Sequence, residues 1–250
     1  MKADLLDAQA AIDWAVPQIS LFGEAFRSWV HDHPHELRFE LHSDPNSKLA
    51  VAYFNPLPRT FNAWVGAIIN SLRSSLDLLA AALATRNSVK PSENTHFPIF
   101  SSDQHMIDPL EGIEGKKWLS QSEQTIIKSL KPYKGGDDTI WPLHYLDIRR
   151  KHERLIRASI DPRFHLEFGN AASGQGAFML SGMTGMERFD YKTILGSVPD
   201  WALSLTDPLT HLSLQITFYE VIAGLAGHEV TTTLTRFANR VAEIIKLFDS

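Results

Sequence analysis

Cysteine is missing from the chain altogether, which excludes a disulfide framework, a thiolate nucleophile and any cysteine-ligated zinc. A reducing, cytoplasmic setting fits that composition. A dominant charge of one sign is also missing. The 24 basic and 29 acidic side chains give a formal net charge of −5 and a pI near 6.1, so a broad electrostatic footprint on nucleic acid is not expected and only a local basic patch could serve one. The opening residues, MKADLLDAQAAIDWAVPQ, place acids where a secretion signal needs a basic lead and an apolar run. No uninterrupted stretch approaches the roughly 18 apolar residues of a membrane span. A soluble chain without a membrane partner is the expectation.

Catalytic signatures are scarce as well. No Ser-His-Asp arrangement, nucleophile elbow or carboxylate pair at an informative spacing occurs. The segment GNAASGQG at 169–176 lacks the strand-to-helix context and the Lys-Ser/Thr ending of a phosphate loop, and reads as a hairpin loop. No internal repeat or coiled-coil run emerges.

What is present is strong helical patterning. Over 60–86, Val65, Ile68, Ile69, Leu72, Leu76, Leu79 and Leu83 fall on one stripe of a long helix, while Asn70, Arg73 and Asp77 mark the opposite side. Over 4–32, Leu5, Ile12, Ile19 and Phe26 recur every seven residues, with Ala8, Ala15, Phe22 and Trp29 interleaved, the pattern of a helix packing along another helix. Pro17 lies inside it and predicts a bend or break near 13–17, because it removes a backbone donor and crowds the preceding turn. The alternating His31, His33 and His35 read as a connector. Residues 36–54 switch to alternation around the turn residues Asp44 to Ser47, which is a β-hairpin. Ser120 and Glu123 form a Ser-x-x-Glu capping box for a short helix closed by Pro132. Trp141-Pro142 opens another helix. Strands follow from 154, interrupted by an Asp161-Pro162 turn and by glycines at 169, 174, 176, 182 and 185, and a last clear strand covers 212–219. The terminal helix begins near Glu229, with Leu234, Phe237, Val241, Ile244, Ile245 and Phe248 on one face. These elements predict an α+β fold: a bundle of three long and two short helices packed with an antiparallel β-sheet. They form one domain over 1–250, helical mainly at 4–32, 60–86, 120–152 and 229–248, with strands mainly at 36–54 and 154–220.

The series LRSSLDLL at 72–79, HFPIF at 96–100, LKPY at 130–133 and RRKHERL at 149–155 resembles a family of bacterial and phage proteins without an assigned activity, whose pattern runs LRSALDH, FPI, QPY and DKHR. The family's Arg-x-x-x-x-His spacing is similar to that of HEPN helical ribonucleases, in which Arg and His from paired helices surround a scissile phosphate. Arg73 matches the Arg position. Leu78 stands at the His position, and Arg150 stands where the pattern has Asp, although Lys151 and His152 are kept. The resemblance therefore implies HEPN-like helices without an intact ribonuclease motif.

Read from the residues, Arg73 and Asp77 have the spacing of an ordinary surface ion pair. The other reading is a buried polar network, with the β-sheet covering that face of the helix. His144 and Asp147 are close on one helix, but His152 lies about 80° around from His144, not on one face as a zinc helix requires, so neither metal nor cofactor is expected. Arg149, Arg150, Lys151, His152, Arg154 and Arg157 form the one dense basic run. Cations at a helix C-terminus complement the macrodipole without any ligand, and if they serve a ligand, phosphate is the obvious target. Two functions follow as expectations. One is a binding module for RNA or a nucleotide through Asn70, Arg73, Arg150, Lys151, His152 and Arg154. The other is a hydrolytic enzyme: either a degenerate nuclease, with Arg73, Asp77 and His152 as its weak catalytic candidates, or a metal-assisted hydrolase built on His144 and Asp147.

Overall fold

The computed structural model describes residues 1–169, 178–183, 192–205, 209–219 and 223–249. Its helices are α1 (Leu6–Asp32), α2 (Arg59–Arg86), the single turn α3 (Asp103–Met106), α4 (Gln121–Ser129), α5 (Ile140–His152), the single turn α6 (Asp200–Leu203) and α7 (Val230–Leu247). The strands are β1 (Glu36–Leu41), β2 (Ser47–Tyr53), β3 (Ala158–Phe168), β4 (Phe178–Met183), β5 (Lys192–Pro199) and β6 (Leu209–Phe218). The fold is α+β in one domain, with three long helices and two shorter ones.

Helix α2 is the hub because its apolar stripe is continuous. Val65, Ile68, Ile69, Leu72, Leu76, Leu79 and Leu83 are all fully buried, and α1, α5 and α7 pack around them. The seven-residue series that starts at Leu5 and runs along α1 is buried throughout, and the hydroxyls of Ser71 and Ser75 bind the carbonyls of Ala11 and Ala8 at 2.8 and 2.6 Å. These small side chains let α1 and α2 approach closely. By length and mean hydropathy, α2 is apolar enough to cross a membrane, contrary to the reading from uninterrupted runs, but 61% of its most apolar window is buried inside the protein.

Three local expectations change. First, α1 runs unbroken through Pro17. Both Pro17 and Asp13, whose carbonyl loses its helical donor, are exposed, so water can satisfy that carbonyl. Second, Asp161-Pro162 is not a turn. Strand β3 continues through it, with Pro162 opposite Leu214 of β6 and, among the described residues, the pairing to β4 beginning at Arg163, so Pro162 sits at the margin of the described β3–β4 ladder, where a missing N–H is tolerated. Third, Gly182 lies within β4 rather than in a turn. The loop read over 169–176 falls outside the described residues from 170 onward, as does Gly185.

The antiparallel strands form two sheets, ordered β1-β2-β5 and β4-β3-β6. The 36–54 hairpin forms in the register Leu37↔Ala52 and Phe39↔Ala50, and β5 completes its sheet from the far side of the chain. Ala50, Ala52, Leu195 and Val198 of one sheet share a small core with Phe164, Leu166 and Phe168 of the other.

The capping box forms as read, with Ser120 and Glu123 exchanging side-chain to backbone bonds. Glu123 also accepts from Asn87 Nδ2 at 2.6 Å, which ties α4 to the end of α2. Asp137 fixes the start of α5: its Oδ1 accepts the N–H groups of Thr139 and Ile140 at 2.8 and 2.7 Å, and its Oδ2 meets Arg240 of α7 at 2.7 Å. Helix α5 is thereby laid across the polar side of α2.

Candidate functional site

The polar side of α2 is covered, though not by a sheet. Helix α5 and the 96–97 segment close over it. Arg73 retains 4% of its accessible surface and distributes its guanidinium over three acceptors. Nη1 lies 2.5 Å from Asp77 Oδ1, Nε donates to His144 Nδ1 at 3.2 Å, and Nη2 reaches the Phe97 carbonyl at 3.4 Å. Asp77 Oδ1 also accepts the Phe97 N–H at 3.0 Å, and the exposed His96 ring brings Nδ1 to 3.6 Å from the same oxygen. The expected surface ion pair is thus a part-buried network built on a buried guanidinium. A buried guanidinium is tolerable only when its charge and donors are matched, and Asp77, His144 and the backbone supply that match.

Arg73 also sets the state of His144. A guanidinium N–H can only donate, so Nδ1 must be the acceptor and the proton of the neutral ring sits on Nε2. Burial, helped by the adjacent Arg73 charge, lowers the His144 pKa to about 4, so the ring is neutral at pH 7.

One turn further along α5, the buried Asp147 is held by two cations. Arg150 Nη2 lies 3.3 Å from Oδ1 and Lys151 Nζ 2.5 Å from Oδ2. Arg150 Nη2 also donates to Asn70 Oδ1 at 2.6 Å. The Arg150 stem fits here because Gly66 of α2 has no side chain: a Cβ at that position would stand 2.7 Å from Arg150 Cδ. The Arg150 Nε is buried and makes no hydrogen bond.

Of the residues expected at the site, Asn70, Arg73, Asp77, Arg150 and Lys151 come together. His152 does not. It is exposed in the last turn of α5, about 12 Å along the axis from His144 at 1.5 Å per residue. Arg154 follows beyond the end of the helix, half-buried. Sequence reasoning weighed His144 as a metal ligand and missed its contact with Arg73. It also missed the 96–97 backbone, for which the apolar HFPIF knot was the one available signal. Among the described residues no group of three His, Asp or Glu is placed to hold a metal ion; His144 Nδ1 and both Asp147 oxygens are already engaged by cations.

No family model, curated protein or solved structure matches this chain.

Proposed function

We propose that the α2–α5 seam is a HEPN-like binding module for a phosphate-bearing partner, RNA or a nucleotide, contacted by Arg150, Lys151 and Arg154. The supporting observation is the charge balance at the seam. Among the described residues, Arg73, Arg150 and Lys151 pair with Asp77 and Asp147 alone, and one Arg150 donor is without an acceptor. Residues 149–157 hold five cations and one acid in a chain whose formal net charge is −5. Guanidinium groups present several N–H donors in a fork that suits phosphate oxygens. Asn70 and Asp147 hold Arg150 in one orientation, which lowers the entropy lost on binding. Arg73 is buried and serves to position the seam.

The test is the salt dependence of binding to a short single-stranded RNA, read by fluorescence anisotropy. Arg150→Ala and Arg154→Ala are each expected to weaken binding and to lower the slope of log K against log salt by roughly 0.7, the increment for one phosphate contact on a single strand. His152→Ala should bind as the parent does, since a neutral imidazole adds little to counterion release. Unchanged slopes in both Arg variants, or no binding at low salt by the parent chain, would overturn the proposal.

A second reading, a hydrolytic enzyme, draws on the fixed tautomer of His144, whose Nε2–H is a ready hydrogen-bond donor beside Arg73. It replaces the acid–base role of His152 with hydrogen-bond donation from the neutral His144 ring to charge developing on a phosphate oxygen. RNA cleavage by the parent chain that survives His152→Ala and disappears in His144→Gln would select this reading.

A further inference from the structure

Away from the seam, a cleft of about 370 Å³ opens between α1, β6 and the start of α7, within the size range of small-ligand pockets. Its apolar wall is Phe26, Val30, Leu214 and Ile216, and Arg27 and Glu229 line the same cleft. The Arg27 guanidinium folds back over Gly23, with Nη1 3.6 Å from where a Cβ would be, beside the Thr231 methyl at 3.4 Å. Among the described residues no acid lies within ion-pair distance of Arg27, Glu229 included. Glu229 caps α7, accepting the N–H groups of Thr231 and Thr232 at 3.0 and 2.5 Å. Burial opposes its ionisation, but the hydrogen bonds from Thr232 and Thr231 outweigh burial and hold its carboxyl below the usual range. One cleft thus holds a cation and an anion that do not neutralise each other, next to an apolar wall.

We propose that this cleft binds a free α-amino acid with an apolar side chain. The ligand carboxylate pairs with Arg27, its ammonium donates to the one acceptor position of Glu229 that the Thr231 and Thr232 N–H groups and the Thr231 hydroxyl leave open, and its side chain lies on Phe26, Val30, Leu214 and Ile216. A simple anion would meet the Glu229 carboxylate, and a simple cation would meet Arg27. A ligand carrying both charges, joined through one carbon, can answer both walls, and the Gln215 side chain lines the same cleft. The site uses no residue of the α2–α5 seam, so the two proposals stand or fall separately.

The test is calorimetric titration of the full chain with L-leucine and L-phenylalanine. Saturable binding is expected for both. Leucinamide, which lacks the carboxylate, and 4-methylpentanoate, which lacks the amine, should each bind at least about tenfold more weakly, the effect of one lost charge-assisted bond. Arg27 is exposed, so Arg27→Gln should leave the ligand-free melting curve unchanged and raise the Kd for leucine by about tenfold or more. No saturation by either amino acid up to about 10 mM, equal affinity for 4-methylpentanoate, or an unchanged Kd in Arg27→Gln would each overturn the proposal.

Discussion

Arg73 on α2 donates its Nε–H to Nδ1 of His144 on α5 at 3.2 Å, and this one bond joins the charge of the central helix to the protonation state of the helix that covers it. His144 cannot take a proton at Nδ1 without facing the guanidinium.

Stability should therefore depend on pH in a definite direction. The folded His144 pKa is lowered to about 4 from an unfolded value near 6.5, so between these limits the unfolded chain binds a proton that the folded chain does not. Folding stability is expected to be unaffected by His144 above pH 6.5 and to fall as pH drops toward 4, by about 3 kcal/mol at most. Urea midpoints measured across pH 4 to 7 check this. His144→Asn should flatten that portion of the profile, and an equally steep loss in the variant would place the proton uptake elsewhere.

Truncations on the two sides of α2 should both be costly. Leu76 is fully buried, and Leu76→Ala should lose about 2–5 kcal/mol. Asp77→Ala leaves the buried Arg73 charge without its carboxylate, and roughly 2–4 kcal/mol is expected. That is somewhat below the loss for a fully enclosed pair, because the Asp77 side chain keeps 27% of its surface. Chemical denaturation decides the matter: a loss under about 0.5 kcal/mol for Asp77→Ala would mean that the pair behaves as a surface one.

Gly66→Ala tests the seam through packing rather than charge. An added Cβ would displace the Arg150 side chain and with it the bonds to Asn70 and Asp147, offsetting the roughly 0.5–1 kcal/mol that alanine gains over glycine in a helix. In an Arg150→Ala background the obstruction is gone. The same substitution should then stabilise by about that amount, and a double-mutant cycle on thermal unfolding reads the difference. Additivity across the cycle would show that Gly66 and Arg150 are not coupled.

Asp137→Ala should loosen α5 at its root. It removes both the cap on Thr139 and Ile140 and one of the two partners of Arg240, and about 2–4 kcal/mol is expected from a lost cap together with a lost, mostly buried ion pair. Hydrogen exchange should then quicken along α5 ahead of α2. Uniform quickening would mean that Asp137 stabilises the whole core rather than the seating of one helix.

Most of the secondary structure could be read because it rests on local rules. The seven-residue series from Leu5, the Ser120–Glu123 box and the Leu234 to Phe248 face are each decided within a few turns of chain. Pro17 and Pro162 misled for one shared reason. The cost of a proline depends on what its missing N–H would have met, and that is set by solvent at Pro17 and by the neighbouring strands at Pro162. The site was half legible. Asn70, Arg73 and Asp77 mark a polar stripe in any helical projection, but whether such a stripe faces water depends on what lies across it. The start of α5 is tied to α7 by Asp137 meeting Arg240, residues roughly a hundred positions apart, and no local pattern encodes that meeting. His144 and Phe97 entered the network through the same long-range geometry.

Helix α7 packs against both α1 and α2, yet roughly two hundred residues separate it from α1. That spacing bears on how the molecule is assembled. Helices α1 and α2 are joined by a short hairpin and can pair early at a modest loop-closure entropy, whereas the contacts of Leu234, Phe237 and Val241 with α1 close a far longer loop and come late. A nascent chain still on the ribosome, with Val230 not yet emerged, holds α1 and α2 with one side of their shared trough open to water. Such an intermediate is sticky by construction, so slow translation through α7 is expected to lengthen its exposure to chaperones and to raise the fraction lost to aggregation.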